Sequence, residues 1–224
     1  MNHPLEKKLK IIFHDQSLLK RALTHRSCLN EQKGSAESNE RLEFLGDAIL
    51  EFLVSRFLYQ EFPADAEGQL TSLRSKLVCD HRLSKIATKL EIGQYLLLSR
   101  GEDESGGRTN LSLLADAFEA LIGAVYLDQG LPAVEQLLND HLFPTIEEAR
   151  SRQDYKSIFQ ERTQEKFRIT PTYQTLQASG PDHDKNFIVG VFLDKKLWGK
   201  ASAGSKQAAE QQAAQKALEK LTAF

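Results

Sequence analysis

The sequence has little of what marks several special classes of protein. Its 224 residues include only two cysteines, Cys28 and Cys79, and no apolar run approaches the ~20 residues of a membrane span. The cysteines fit no metal-binding or redox spacing, which excludes a disulfide scaffold, and we expect both to be small buried apolar residues in a reducing compartment. Residues 1–15 also lack the apolar segment of a signal peptide. These absences predict a cytoplasmic protein that contacts no membrane.

The distribution of charge indicates two domains with different partners. Residues 1–150 contain 17 basic and 23 acidic side chains, whereas residues 151–224 contain 12 basic and 8 acidic ones. A small basic domain favours nucleic acid as its partner, although a surplus of this size also occurs on ordinary solvated surfaces. The length fits one large or two modest domains, and the charged segment 146–154 is where we place the boundary.

The first part of the chain is predicted to be all-α. Between residues 18 and 149, apolar residues recur at helical spacing and almost no stretch alternates. Segments rich in Gly, Ser, Pro or acidic residues interrupt this pattern at residues 31–38, 62–68, 93 and 101–108. After residue 154 the pattern changes to a helix at 155–167, three strands at 172–178, 187–194 and 197–203, and a helix at 205–222. This order predicts a small α-β-β-β-α domain.

Residues 39–59, NERLEFLGDAILEFLVSRFLY, place acidic side chains on a helix that should be largely buried. At about 100° per residue, Glu40, Glu43 and Asp47 share one stripe. The opposite face carries Leu42, Leu45, Ile49 and Phe52. Glu51 lies near the acidic stripe, and we regard it as a bystander. The helix therefore brings carboxylates close to apolar packing.

The same helix is apolar on more sides than one core should cover, because Phe44, Leu50 and Val54 flank the acidic stripe. We expect at least one of these three residues to meet a second copy of the chain across a two-fold interface.

A second helix, residues 111–128, carries Asp116 and Glu119 as its only charges before Leu127. An unpaired carboxylate in apolar surroundings must be protonated, paired with a cation or bound to a metal ion. If the two helices pack together, their carboxylates meet in one cluster that is hard to hold without a cation. A set of oxygen donors without a histidine or cysteine metal motif suits Mg²⁺ or Mn²⁺ rather than zinc. For each carboxylate alone, a salt bridge or helix cap remains the alternative.

Two segments resemble the ribonuclease III family. NERLEFLGD at 39–47 is similar to the family signature, and LADAFEALIGAVYLD at 114–128 is similar to its second acidic motif. ALTHRS at 22–27, FPADAEGQLTSLRSKLV at 62–78 and GGR at 106–108 extend the resemblance over most of residues 10–145. The resemblance implies metal ligands at Glu43, Asp47, Asp116 and Glu119, with Asp47 and Glu119 as catalytic residues. It also implies that Glu40 and Glu67 support this centre.

The C-terminal part resembles a double-stranded-RNA-binding domain. In that family the first helix and the β1–β2 loop enter successive minor grooves, and the last helix begins at phosphates of the major groove. The resemblance implies RNA contacts at Ser157, Gln160, Glu161, His183, Ser205 and Lys206. A helix N-terminus beside a lysine is an anion site on physical grounds. Gln207 departs from the family, which usually has a second basic residue there, and the loss of one phosphate contact should weaken binding modestly.

The resemblance implies an endonuclease that hydrolyses double-stranded RNA as a homodimer, using Mg²⁺, for which Mn²⁺ substitutes, and no nucleotide cofactor. Its products would carry 5′ phosphates, 3′ hydroxyls and short 3′ overhangs, formed by attack of an activated water without a covalent intermediate. A protein that binds double-stranded RNA without cutting it is the first alternative, although all four implied ligands are present. A metal-dependent hydrolase of small nucleotides is the second, and the RNA-binding part argues against it.

Overall fold

A computed structural model describes residues 3–30, 37–151, 155–180 and 185–222. The chain forms two compact units, Met1–Ser151 and Arg152–Phe224. Both predicted fold classes, an all-α unit followed by an α-β-β-β-α unit, are confirmed.

The first unit is built from nine α-helices within its described residues, joined by turns and short 3₁₀ segments. They are α1 (Pro4–Leu9), α2 (Gln16–Ala22), α3 (Glu40–Glu61), α4 (Glu67–Leu77), α5 (Asp80–Lys89), α6 (Arg100–Glu104), α7 (Leu111–Gln129), α8 (Leu131–His141) and α9 (Ile146–Ser151). Helix α6 lies within the predicted break at 101–108. The Ser99 side chain accepts a hydrogen bond from the Glu102 amide and thereby starts a short helix in a segment whose composition predicted a loop.

Helix α7 forms the centre of this unit. Asn110 caps its start by accepting hydrogen bonds from the amides of Ser112 and Leu113, and Gly130, with φ of 77°, ends it. From Leu114 to Val125 every residue of α7 is buried except Asp116 and Glu119, which are half-buried. Helices α2, α3, α5 and α8 pack around it. The two acidic residues therefore lie at the edge of the apolar core.

Three expectations about individual side chains are wrong. Cys28 is buried as expected, but Cys79 is exposed, because it precedes α5 at the surface. Leu50 and Val54 are completely buried in the core of their own unit and have no surface left for a second copy. Phe52, expected on the buried face, is 54% exposed, because that face of α3 is rotated toward Leu50 and Val54.

The second unit packs two helices on one three-stranded antiparallel sheet. Its elements are α10 (Tyr155–Phe167), β1 (Thr172–Ser179), β2 (Asn186–Leu193), β3 (Lys196–Ala203) and α11 (Lys206–Thr222), with strand order β1-β2-β3. Phe159 of α10, Val191 of β2 and a run of alanines on α11 form its core. In Gly199 of β3, a side chain would collide with the Ala213 carbonyl, so this glycine allows α11 to lie close to the sheet. Among the described residues, no helix is long and apolar enough to cross a membrane.

Candidate metal centre and nucleic-acid surface

Helices α3 and α7 meet backbone to backbone at two glycines. A Cβ atom on Gly46 would overlap the carbonyl oxygen of Glu119, and one on Gly123 would overlap the carbonyl oxygen of Leu42. Only glycine permits so close an approach. Because Gly46 precedes Asp47, this contact carries the acidic stripe of α3 to the acidic residues of α7.

The charges of the two helices act on one another most strongly at Glu119. Burial raises the pKa of Glu119 to about 8, and nearby carboxylates add to the shift. These carboxylates are Asp47, Asp116, Glu43 and Asp80, in decreasing order of effect. At neutral pH, Glu119 therefore needs a proton or a cation.

Two neighbours of Glu119 are perturbed in the same direction. Burial raises the pKa of Glu43, with further contributions from the charges of Asp116, Glu40 and Asp47. Burial also raises the pKa of Asp116, which the charge of Asp80 increases further and the charge of His25 lowers. The structure thus brings all four implied ligands into one electrostatically coupled cluster.

No positive side chain neutralises this cluster. Within the described residues, Glu43, Asp47, Asp116 and Glu119 take part in no ion pair with lysine or arginine. No three histidine, cysteine, aspartate or glutamate side chains of that part lie close enough to form a ready-made metal cage. Mutual repulsion explains the spacing, since unpaired carboxylates in a partly buried place separate from one another. The donor set consists of oxygens alone and fits a hard divalent cation.

The two supporting acids occupy different places. The charge of Glu40 reaches Glu43, while its own carboxylate accepts a hydrogen bond from the Ser38 hydroxyl at 2.9 Å. Glu67 starts α4 and accepts a hydrogen bond from the Thr71 hydroxyl at 3.0 Å. It lines a groove of about 400 Å³ beside Tyr59, which lies three turns beyond Asp47 on α3. Within one chain, Glu67 is therefore separate from the cluster.

Sequence reasoning missed two groups that act on the cluster, Asp80 and His25. Asp80 is the first residue of α5, where an aspartate is ordinarily explained by the helix dipole alone, so its sequence position gave no functional signal. His25 belongs to the ALTHRS segment that resembles the family, but a histidine in isolation carries no assignment. Only the packing of α5 and of residues 22–27 near α7 brings these groups together.

Most of the implied RNA contacts are exposed on the second unit. Ser157, Gln160 and Glu161 share the face of α10 opposite buried Phe159. Ser205 caps α11 by accepting a hydrogen bond from the Ala208 amide at 3.2 Å, and Lys206 is exposed beside it. His183 lies outside the described residues.

One ion pair connects the starts of the two helices that carry these residues. The Lys156 ammonium of α10 lies 2.7 Å from the Glu210 carboxylate of α11, and the Lys156 amide donates to the Gln211 side chain at 3.2 Å. These contacts hold the first turn of α10 next to the first turns of α11. The exposed groups of both helix starts therefore belong to one end of the unit.

Comparisons with known proteins agree with both units. A family model described as "Ribonuclease-III-like" matches residues 15–146, and one for the double-stranded RNA binding motif matches residues 155–221. Ribonuclease 3 of Natranaerobius thermophilus is 46% identical over 220 residues, covering 97% of this chain and 95% of that protein. Ribonuclease 3 of Geobacillus thermodenitrificans is 47% identical over 222 residues, covering 98% and 90%.

A solved structure resembles the first unit. The nuclease domain of ribonuclease III from Campylobacter jejuni is 40% identical, with a TM-score of 0.58, over 62% of this chain and 96% of that domain. That structure is described as flexible in a region involved in dimer formation.

Proposed function

Because this chain belongs to the ribonuclease III family, we propose that Glu43, Asp47, Asp116 and Glu119 form the metal site at which it cleaves double-stranded RNA. The chain is an endoribonuclease of double-stranded RNA, as its two matched regions and its full-length relatives indicate. We assign the catalytic roles to Asp47 and Glu119 among these four. Residues 1–150 are the proposed catalytic domain, and residues 151–224 are the proposed RNA-binding domain.

The observation that carries this proposal is the unneutralised charge of the cluster. The pKa of Glu119 is raised to about 8 by burial and by neighbouring carboxylates, so a bound divalent cation would relieve a repulsion that no described basic residue relieves. Oxygen-only donors favour Mg²⁺, and Mn²⁺ accepts the same ligands. When bound, such an ion supplies activation of a water nucleophile and stabilisation of the leaving oxygen.

The protein's own part is to hold these carboxylates in place. The contact of Gly46 with the Glu119 backbone fixes the distance between the two helices, and the buried faces of both helices leave little freedom for rotation. Burial also limits water around Glu119, which strengthens every charge interaction there. The site is thus prepared for a cation before RNA arrives.

The RNA-binding surface is proposed to consist of the exposed ends of α10 and α11. Ser157, Gln160 and Glu161 would contact a minor groove, while Lys206 at the start of α11 would contact phosphates. The proposed contact of His183 falls in the β1–β2 connection. Recognition through 2′-hydroxyls and phosphates would make sequence selectivity loose.

We propose that the protein acts as a homodimer whose interface includes an exposed apolar stripe of α3. Phe44, Phe52 and Tyr59 are 81%, 54% and 75% exposed and fall within about 80° of one another around the helix. Exposed aromatic residues grouped in this way are typical of interfaces. A two-fold axis near Phe52 would place Phe44 of each copy at the groove beside Tyr59 of the other.

This arrangement would also explain the implied role of Glu67. Glu67 lines the groove beside Tyr59, and Phe44 is the neighbour of Glu43 in the chain. Insertion of Phe44 into the groove would therefore bring Glu67 of one copy to the carboxylates of the other. Two such centres in fixed relation would cut the two strands of one duplex, leaving 5′ phosphates, 3′ hydroxyls and short 3′ overhangs.

The cellular role follows from the substrate. Ribosomal and messenger RNA precursors contain duplex segments, and we propose that the protein processes them in the cytoplasm.

The test is incubation of the purified protein with a long RNA duplex, with Mg²⁺ or with a chelator. We expect short duplex products with 5′ phosphates in Mg²⁺ and none with chelator. Binding of the duplex without any cleavage over a range of Mg²⁺ and Mn²⁺ concentrations would instead favour the silent RNA-binding alternative.

A further inference from the structure

The ALTHRS segment holds His25 in one orientation. The His25 amide donates to the Leu97 carbonyl at 3.0 Å, and the Thr24 carbonyl accepts from the Asn39 amide at 2.8 Å. Residues 24 and 25 are therefore fixed between the loop before α6 and the residue that precedes α3. This places His25 at the end of α3 that carries Glu40 and Glu43.

The imidazole ring is fixed by its Nδ1 atom. The Ser27 amide donates to Nδ1 at 3.3 Å, and the Ser27 hydroxyl lies 2.9 Å from the same atom. That hydroxyl accepts a hydrogen bond from the Ser99 amide at 3.0 Å, so its own proton is free to point to Nδ1. Because a backbone amide only donates, Nδ1 must be an acceptor, and the proton of the neutral ring is on Nε2.

The Nε2–H group is thereby left as a donor on the opposite side of the ring from Ser27. Among the described residues it has no hydrogen-bond partner, and no ion pair joins His25 to Asp116 directly. The charge of the ring nevertheless reaches Asp116 and lowers its pKa, against the effect of burial and of Asp80. The separation is thus too long for a direct contact and short enough for interaction.

We propose that His25 is a positioning residue of the catalytic centre, whose Nε2–H donates to a water molecule that also binds Asp116. This inference rests on the proposed function of the acidic cluster. Outer-shell partners of this kind orient a carboxylate ligand, and their loss typically weakens metal binding by about 10–100-fold. His25 would act through Asp116 and would not touch the RNA.

The chain offers a variant that separates the two nitrogen atoms. In His25→Asn the Oδ1 atom can accept the Ser27 amide two residues ahead, as in an Asx turn, and so replaces Nδ1. No atom of asparagine replaces Nε2. We therefore expect His25→Asn to unfold at the wild-type temperature, whereas His25→Ala loses both functions and unfolds at a lower temperature.

The decisive readout is Mn²⁺ binding without RNA, followed by electron paramagnetic resonance of the free ion. We expect a dissociation constant about 10-fold higher for His25→Asn than for wild type, with a lower cleavage rate at limiting Mg²⁺ that excess Mg²⁺ restores. Unchanged Mn²⁺ binding would overturn the proposal, and so would a change confined to the KM for RNA, which would place the donor on a phosphate.

Two further measurements complete the test. In ¹⁵N-histidine spectra of the wild-type protein, the proton of His25 should be on Nε2, and this resonance should shift on addition of Mg²⁺; a resonance that does not respond contradicts the inference even if His25→Asn fails to fold. Glu119→Gln serves as the reference for the cluster itself. If Glu119→Gln is inactive while His25→Asn equals wild type, only the role of His25 is wrong; if Glu119→Gln also equals wild type, the proposed site is wrong.

Discussion

Gly46 of α3 lies directly against the carbonyl oxygen of Glu119 of α7, with no room for a side chain between the two backbones. This contact explains why a glycine adjoins Asp47 in the middle of a helix, where glycine is ordinarily unfavourable by about 1 kcal/mol relative to alanine. The close approach of the backbones sets the distance between the acidic residues of the two helices.

Gly46→Ala should therefore destabilise the first unit and abolish cleavage. We expect a loss of about 1–3 kcal/mol in the free energy of unfolding, because the added methyl group must push α3 and α7 apart. Gly101→Ala is the matched control, since a Cβ there meets nothing within 4 Å. Urea unfolding of both variants measures the difference. Equal stability of Gly46→Ala and Gly101→Ala would contradict the close packing of these helices.

The raised pKa of Glu119 predicts how stability depends on pH without metal. Its pKa rises from an ordinary 4.5 to about 8 in the folded protein, so the folded state binds more protons than the unfolded state between these values. The free energy of unfolding should then fall as pH rises through this window. Glu119→Gln should flatten the fall, while the similarly raised pKa values of Glu43 and Asp116 maintain part of it. Thermal unfolding in chelator from pH 5 to 8 measures this, and parallel curves for wild type and variant would exclude the effect.

Addition of Mg²⁺ should reverse this trend. Metal binding requires deprotonated carboxylates, so the stabilisation by Mg²⁺ should grow as pH rises toward 8. The same concentration of Mg²⁺ should raise the unfolding temperature of wild type and not that of Glu119→Gln. A Mg²⁺ effect that is independent of pH and of Glu119 would place the bound ion elsewhere.

Phe44→Lys should convert a dimer to a folded monomer. Because Phe44 is 81% exposed within one chain, its replacement leaves the core intact, while loss of a central aromatic anchor typically costs an interface about 2 kcal/mol or more. Ile12→Lys is the control, since Ile12 is 61% exposed and lies outside α3. Sedimentation at micromolar concentration gives the mass. A wild-type monomer that still makes paired cuts would refute the dimer.

Deletion of residues 151–224 should leave a folded, all-α nuclease unit. The first unit has its own apolar core, and the similar Campylobacter structure is a nuclease domain by itself. Without the RNA-binding unit, we expect weak duplex binding and cleavage only at low salt, since fewer phosphate contacts remain. Equal cleavage by both proteins at physiological salt would remove the RNA-binding role from residues 151–224.

The sequence predicted what depends on local pattern and missed what depends on packing. Helical and strand periodicity located α10 and the three strands to within one residue, and the motif NERLEFLGD identified the acidic stripe. Spacing alone could not decide which apolar side of α3 is exposed, because Leu50 and Phe44 are equally apolar and only the position of the neighbouring helices separates them. Asp80 and His25 join the site through tertiary contacts between segments far apart in sequence.

The most direct test of the central claim is the cleavage and binding of one long RNA duplex by wild type and Glu119→Gln across a Mg²⁺ titration. The account predicts that Glu119→Gln cleaves at least about 100-fold more slowly at every Mg²⁺ concentration. Its dissociation constant for the uncut duplex should remain close to that of wild type, because residues 151–224 carry the RNA contacts. Cleavage by Glu119→Gln at nearly the wild-type rate would show that the carboxylates of α3 and α7 are not the catalytic centre.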